Sequence, residues 1–485
     1  WTASFPFLTT LLQQWNNYGI WCPLNTKTNI VNLNFAPGDM PDIAPSPTED
    51  NFRGTVAIRT QGCKLNQADS DMLARRFAAA GYRLVQSPAK ADVFVLNTCT
   101  VTATADSKAR QALRAAARAN PHALIVATGC YAQRSRDELS QVEGVSLVVG
   151  NTEKAELPAM VTALLEQRNT GANSHPRVSS ALDYSVQPAA NIRRNRSMVK
   201  IQEGCDQVCA YCIVPKVRGR ERSIPPESLV EQINQRVAEG CLEVVLTGTQ
   251  LGTYGFDIPG ATLTRLLERI LAETAVPRLR VSSLQPQEIN PRLLELWQDP
   301  RLCRHFHIPL QSGSDRILEM MRRRYTTGLF AEKVDLVRNT VPGSGVTADL
   351  IAGFPGETEA EFQESLAFAT SMAFSDMHIF PYSPRPGTSA VYLSGPVSQP
   401  VKKARTTQLL AMAKEGFEAF RSYQLGQTHP VLWESSTRQD GGLKWRGLTG
   451  NYIRVYTHSR NNLGNTITPA RFEELTGDGV RVKVL

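Results

Sequence analysis

The sequence predicts an α/β protein in three parts: an N-terminal α/β domain on a parallel sheet, a central partial barrel of six βα units, and a small C-terminal β-barrel. Three observations carry this. Short apolar runs alternate with helix-patterned segments from Thr55, the alternation resumes after a polar stretch, and past about Gln427 it gives way to strand-like runs between Gly-rich turns.

Residues 1–52 begin at Trp1, mix aromatics with Asn and Thr, and end in APGDMPDIAPSPTEDN, which reads as an unstructured extension. It has no basic region ahead of an apolar core, as a secretory signal would, and Cys22 within it takes no role. Over residues 53–167, TVAIRTQGC, ADVFVLNTC and ALIVATGC are buried-strand candidates that each stop at a Cys. The first two are followed by the helical patterns SDMLARRFAAAG and SKARQALRAAARA. The Pro- and Ser-containing stretch 168–196 reads as a linker. Over 197–425, SMVKIQEG, LEVVLTGT, RLRVSSLQ, HFHIPLQS, TADLIAGF and DMHIFPYS are six strand candidates, closed by a long helix near KKARTTQLLAMAKEGFEAFRSYQLG. Over 426–485, HPVLWES, NYIRVYT and GVRVKVL form the small barrel.

A chain of 485 residues has ample core for several domains. It contains no run of about 18 or more uncharged apolar residues, which argues against a membrane span. Nine cysteines, an odd number in groups, do not resemble a disulfide framework and point to metal or redox chemistry in a reducing compartment, hence the cytoplasm. Lys+Arg 53 against Asp+Glu 45 gives a net charge of +8. That fits either a polyanionic partner or a merely basic enzyme.

Cys205, Cys209 and Cys212 form C-x3-C-x2-C just after the first strand of the central barrel. Three thiolates on one short loop reach three corners of a 4Fe-4S cube and leave the fourth iron without a protein ligand. Zinc would want a fourth Cys or His, and the next such residues are Cys241 and His305. Cys63, Cys99 and Cys130 are spaced C-x35-C-x30-C, but each ends a predicted parallel strand, and such ends converge on one crevice. Any one of them alone reads as a buried structural thiol; together they suggest a second three-ligand cluster. Cys241 and Cys303 read as core or surface thiols, and His305 and His307, bracketing Phe306, as packing residues.

RTQGCKLNQADSD, NTCTVTATADSKARQ, TGCYAQ, KIQEGCDQVCAYCIVPKVRGRERS with Tyr211 before its last Cys, HIPLQSGSD and TADLIAGFPGETEAEF together resemble the radical S-adenosylmethionine methylthiotransferases. The resemblance covers residues 53 to 485, including a tail similar to the TRAM RNA-binding module. It is strongest to the branch acting on threonylcarbamoyladenosine at position 37 of tRNA, with the isopentenyladenosine and ribosomal-protein branches as alternatives; a non-catalytic iron-sulfur RNA-binding protein is a further one. It implies two 4Fe-4S clusters and two uses of S-adenosylmethionine. Cys205, Cys209 and Cys212 would hold the cluster that yields a 5'-deoxyadenosyl radical, and Cys63, Cys99 and Cys130 the one that carries the sulfur to be methylated and inserted. It also implies tRNA, an electron donor of flavodoxin or ferredoxin type and a sulfur source as partners.

Barrel position makes Tyr211, Thr247, Gly248, Gln311, Ser312 and Asp349, with Gly353, candidates for touching S-adenosylmethionine, or turn residues only. In KVRGRERS, Lys216, Arg218, Arg220 and Arg222 are either phosphate contacts or a solvated edge of intrachain salt bridges. Arg322, Arg323, Arg324 and Tyr325 add a basic run after a helix. In the tail, Lys444, Arg446 and Arg454, with Trp445 and Tyr452, are candidates for RNA backbone and stacking contacts.

Overall fold

The computed structural model describes residues 52–170, 195–439 and 442–485. The predicted extension, with Cys22, and nearly all of the predicted linker lie outside the described residues. The chain forms two compact units.

The first unit is a parallel five-stranded sheet in the order β2-β1-β3-β4-β5: β1 (Gly54–Thr60), β2 (Tyr82–Leu84), β3 (Val93–Thr98), β4 (Leu124–Gly129) and β5 (Val145–Val149). Every residue of β3 and β4 is buried, as expected of central strands covered on both faces. Alternate side chains go to opposite layers. Phe94, Leu96, Ile125 and Ala127 pack with Ala109, Leu113 and Ala116 of helix Ala103–Ala119. Val93, Val95, Leu124 and Val126 pack with Leu73 and Phe77 of helix Lys64–Ala79 and with Leu157 and Val161. The sequence patterns found the three central strands; β2, of three residues, and the half-exposed β5 lack a continuous apolar run.

The second unit contains the six predicted parallel strands: β6 (Arg196–Lys200), β9 (Glu243–Thr247), β10 (Arg278–Val281), β11 (His305–His307), β12 (Gly345–Ala352) and β13 (Asp376–Pro381). They form β10-β9-β6 and β11-β12-β13, joined by parallel bridges Leu279↔Leu302 and Ser283↔His307. A two-residue ladder of β7 (Gln202–Glu203) and β8 (Arg222–Ser223) sits after β6. Val244, Leu246, Leu279, Val281, Phe306, Val346, Ala348 and Leu350 face the helices in one core. Period-two alternation therefore turns the intervening residues into the lumen, and many of these are polar: Arg196, Glu243, Arg278, Arg280, His305, His307, Thr347, Asp349 and His378. His305 and His307 thus do not enter the packing layer as predicted from sequence; Phe306 between them does.

Helix Gln399–Tyr423 leads into a closed barrel, β14-β15-β16-β18-β17, of β14 (Thr428–Gln439), β15 (Gly442–Thr449), β16 (Arg454–Ser459), β17 (Ile467–Leu475) and β18 (Val480–Val484). Its sequence concealed β15, interrupted by Gly442 and Gly447, and β17, which carries Pro469; both carry breaker residues that closure of the barrel tolerates. The barrel sits on the N-terminal ends of the six parallel strands. There Glu243, fully buried, meets Arg196 at 3.1 Å, Arg278 at 2.7 Å and Arg280 at 2.9 Å. Arg196 also pairs with Glu434 at 3.0 Å. Leftover guanidinium N–H groups donate to the carbonyls of Leu448, Thr449 and Gly450 at 3.0 to 3.1 Å. Tyr452 stacks on His305 with centroids 4.3 Å apart and lies under the Arg280 guanidinium at 4.9 Å.

Burial opposes the charge on Glu243, but the three guanidiniums win and hold its carboxyl well below the usual range. Glu243→Gln keeps the shape and strands buried arginines, so the folded state should lose about 3–5 kcal/mol. The denaturation midpoint of the full chain reads this, and Glu273→Gln, in a surface pair with Arg269, should leave the midpoint unmoved. A chain ending near Leu425 loses the carbonyls that satisfy Arg278 and Arg280. It should be insoluble or lose its cooperative transition in a thermal melt, rather than simply lose RNA affinity.

Candidate active site

Beyond β6 the chain leaves the C-terminal mouth of the partial barrel through β7. The β7–β8 ladder closes the base of the loop 204–221, which carries Cys205, Cys209 and Cys212 as free thiols. Gly204 has φ 81°, and a Cβ there would lie 1.9 Å from the Arg220 carbonyl oxygen, so only glycine lets the two stems pass. Cys205 N–H donates to Gly219 O and Cys212 N–H to Cys209 O, both at 3.1 Å. Burial pushes the Cys205 thiol up to about 11 and the Cys212 thiol up to about 12. A bound cation would reverse that.

Two side chains lock the loop: Gln202, which sequence patterns did not single out, and Arg323, read from the sequence only as part of a basic run. Gln202, fully buried, donates to Gly204 O at 2.9 Å, and its Oε1 accepts from the backbone N–H of Thr249 at 3.0 Å and Gln250 at 2.9 Å. Arg323 donates to Cys209 Sγ at 3.2 Å and to the Tyr325 hydroxyl at 3.1 Å, reaches Tyr211 Oη at 3.5 Å, and also bonds Gln285. Gln285 donates to Gln250 at 3.0 Å, and Gln250 donates to Glu288. Burial raises the Glu288 carboxyl to about 7, over the opposing pull of donors on Gln285, Gln250 and Gly252.

The remaining candidates divide by orientation. The Thr247 carbonyl is taken by Ile201 N–H at 2.9 Å, and a Cβ on Gly248 would sit 2.9 Å from Gln202 O, so Gly248 is where the two loops touch. Gln311 holds a left-handed conformation, φ 67°, with its N–H on Asp349 O at 2.8 Å. Ser312 is turned away from the mouth: its hydroxyl pairs with Ser365 of helix Glu359–Ser371 at 3.1 Å, and joining loop to helix is its role. Asp349 lies between His307 Nε2 at 3.2 Å and His378 Nδ1 at 3.0 Å.

Of the basic residues after the loop, the three arginines meet carboxylates of its other stem, Arg220 while still exposed. Arg218 is buried on Glu203 at 2.6 Å and so is no phosphate contact, Arg220 meets Asp206 at 2.8 Å, and Arg222 lies 4.0 Å from Glu203. Lys216, Arg322 and Arg324 are exposed, whereas Arg323 points in. In the tail, Trp445 is core and Tyr452 is held by His305, so neither is a stacking platform. Lys444 lies over the Tyr456 ring at 5.0 Å, Arg454 pairs with Asp478 at 3.0 Å, and Arg446 is exposed.

In the first unit, Cys63 caps helix Lys64–Ala79 three residues past β1, Cys99 follows β3, and Cys130 follows β4. These are adjacent strands, so the three loops that carry the thiols leave the sheet side by side. Gly62, φ 99°, lets the Cys63 loop approach: a Cβ would lie 2.9 Å from Cys99 Sγ. Asn66 ties all three loops, donating to Gln61 O at 2.7 Å and Thr98 O at 3.0 Å, with its Oδ1 4.0 Å from Cys130 Sγ. Lys154, paired with Asp69 at 2.9 Å, braces Asn97 beneath. Three thiols in each triad suit a cube, which seats each thiolate on its own iron. Cys241 and Cys303 are buried core thiols.

Gly204→Ala should forbid the Cys205 loop and Gly62→Ala the Cys63 loop, each lowering reconstituted iron from about eight to about four per chain; iron and sulfide analysis reads both. Glu288 keeps its proton to higher pH when folded than when unfolded, so its contribution is present below about pH 4.5 and is lost as pH rises through about 7. Glu288→Gln should flatten that slope in thermal melts between about pH 4.5 and 7.

Residues 55–150 match a family model described as Uncharacterized protein family UPF0004, and residues 199–369 match the Radical SAM superfamily. The threonylcarbamoyladenosine tRNA methylthiotransferase MtaB of Bacillus subtilis (strain 168) is 36% identical over 89% of this chain and 94% of its own. Its namesake in Aquifex aeolicus (strain VF5) is 37% identical over 85% and 98%. The tRNA-2-methylthio-N(6)-dimethylallyladenosine synthase of Moorella thermoacetica is 34% identical over 80% and 89%. Among solved structures, the radical S-adenosylmethionine methyltransferase TsrM of Kitasatospora setae aligns at a TM-score of 0.49 and 16% identity over 68% of this chain and 76% of its own. With relatives of this identity matched along nearly their whole length, and six thiols in two triads at the ends of parallel strands, the chain belongs to the radical S-adenosylmethionine methylthiotransferase family.

Proposed function

We propose that this chain adds a methylthio group to C2 of N6-threonylcarbamoyladenosine at position 37 of tRNA. The observation that carries the reading is the pair of separate three-thiol sites, each on glycine-shaped loops at strand C-termini. One such site serves radical generation; sulfur insertion calls for a second. The substrate follows the names of the relatives at 36–37% identity. The dimethylallyl relative at 34% supports a second reading, in which the same chemistry acts on N6-dimethylallyladenosine.

Cys205, Cys209 and Cys212 would hold one 4Fe-4S cluster and Cys63, Cys99 and Cys130 another; when bound, these supply the electron that cleaves S-adenosylmethionine and the site at which sulfur is methylated. The chain's own residues shape the surroundings. Gln202 fixes the radical-site loop to the β9 loop, and Arg323 places a cation beside Cys209. Thr247, Gly248, Gln311 and Asp349 line the strand ends where S-adenosylmethionine would lie. Exposed Lys216, Arg220 and Arg446, with Lys444 and Arg454, are the proposed phosphate contacts. An electron donor of flavodoxin or ferredoxin type and a sulfur source complete the proposed partners.

Cys205→Ala should abolish 5'-deoxyadenosine formation. Cys63→Ala should retain it while losing methylthio product. Anaerobic assay of both nucleosides by mass spectrometry, on tRNA carrying either N6 group, tests the proposal; 5'-deoxyadenosine from Cys205→Ala, or methylthio product from Cys63→Ala, would sink the two-site assignment.

A further inference from the structure

We propose that Arg323 is a positioning residue for the cluster on Cys205, Cys209 and Cys212: its hydrogen bond to Cys209 Sγ and its fixed positive charge favour the reduced cluster and raise the potential at which it takes up an electron. This rests on those three thiols holding a 4Fe-4S cluster and is independent of which tRNA is the substrate.

The backbone aims Arg323. After helix Asp315–Met320, Arg322 adopts a left-handed conformation, φ 58°. The turn is closed by Arg322 N–H on Glu319 O at 2.8 Å and Arg323 N–H on Leu318 O at 2.9 Å. The same turn is tied to the cluster loop, because Ala210 N–H donates to Met321 O at 3.0 Å. That bond sets the spacing between Arg323 and Cys209, the neighbour of Ala210.

The side chain is held through all three of its nitrogens. Nε donates to the Tyr325 hydroxyl at 3.1 Å, one terminal nitrogen donates to Gln285, and the other faces Cys209 Sγ at 3.2 Å and Tyr211 Oη at 3.5 Å. The Tyr325 hydroxyl gives its own hydrogen to the carbonyls of Pro309 at 2.7 Å and Leu310 at 2.9 Å, which leaves its oxygen to accept. The guanidinium is therefore preorganised against the sulfur.

Charge decides its role. A guanidinium stays protonated, and the acceptors around this one are two phenols, an amide and a thiol, with no carboxylate among them. Arg218 and Arg220, on the loop itself, each have a carboxylate partner. Of the acceptors of Arg323, Cys209 is the one that becomes anionic when it binds metal. The potential of such a cluster follows its net charge and the hydrogen bonds to its sulfurs. One electron from a flavodoxin- or ferredoxin-type donor adds one negative charge and moves no proton. A cation bonded to a ligand sulfur stabilises the more negative, reduced state more than the oxidised one.

The test is a redox titration followed by EPR, without S-adenosylmethionine, on the anaerobically reconstituted full chain as wild type, Arg323→Gln and Arg323→Lys at matched iron content. The signal that S-adenosylmethionine alters in a parallel sample marks the cluster in question. Arg323→Gln should shift its reduction equilibrium about tenfold or more toward the oxidised form, which is about 59 mV or more to lower potential for one electron. Arg323→Lys keeps the charge and should recover about half of that shift or more, while the midpoint of the other cluster stays in place. Independently of any variant, the reduced wild type carrying nitrogen-15 in its arginine guanidino groups should show a nitrogen coupling on this signal in pulsed EPR. An unmoved midpoint in Arg323→Gln, an equal shift of both clusters, or no coupling would overturn the proposal. An unmoved midpoint with weakened S-adenosylmethionine binding would reassign Arg323 to holding that cofactor. If Arg323→Gln fails to load this cluster, the wild-type coupling decides, its presence in support and its absence against. A wild type that loads no cluster on these thiols would end the cluster assignment and the proposal together.

Discussion

One carboxylate, Glu243, organises the floor of the central barrel. Three arginines from β6 and β10 converge on this buried carboxylate, and a single negative charge cannot neutralise them. The C-terminal barrel supplies what is missing: the Glu434 carboxylate, three backbone carbonyls and the ring of Tyr452. A buried charge cluster of this kind contributes little net stability compared with apolar packing, but it is costly to leave half made. It therefore ties the two barrels together at a fixed register, and it leaves the opposite mouth as the face available for chemistry.

At that mouth, and separately in the first unit, the same construction recurs. A parallel strand ends, a glycine in the left-handed region lets the loop pass against a neighbour, and an amide side chain fastens the loop from beneath. Gly204 with Gln202 does this for Cys205, Cys209 and Cys212; Gly62 with Asn66 does it for Cys63, Cys99 and Cys130. An amide suits the task because it donates and accepts at once, so one buried side chain satisfies backbone groups on two or three loops. The thiols then need no direct contact with one another.

The arginines show how far charge in a sequence is from charge on a surface. KVRGRERS reads as a basic strip, yet Glu203 and Asp206 from the other stem of the loop take up its guanidiniums. RRR at 322–324 likewise splits: the outer two are exposed and the middle one turns in to Cys209 and Tyr325. Pairing across a loop is decided by which residues the fold brings opposite, and spacing along the chain does not reveal it.

Local pattern carries much of this protein. Apolar runs and helical periodicity sufficed for the six barrel strands and the three central strands of the first sheet, and C-x3-C-x2-C marks one metal loop because all its ligands are neighbours. Even Cys63, Cys99 and Cys130, scattered over more than sixty residues, were legible, since each follows a strand and parallel strands bring their ends together. What the sequence could not reveal depends on which face of a strand a polar residue occupies and what lies across from it. His305 and His307 look like packing residues until Phe306 takes the helix side; Tyr452 looks like an RNA platform until it stacks on His305; Ser312 looks like a mouth residue until Ser365 claims it. Gln202, Asn66 and Arg323 act across 32 to 114 residues of chain, through hydrogen bonds that leave no periodic trace. The sequence by itself determined the strands and the thiols, because those follow from local apolar patterning and from topology. Only the tertiary structure decided the partners of the polar groups, because a hydrogen bond is set by distance and direction in space.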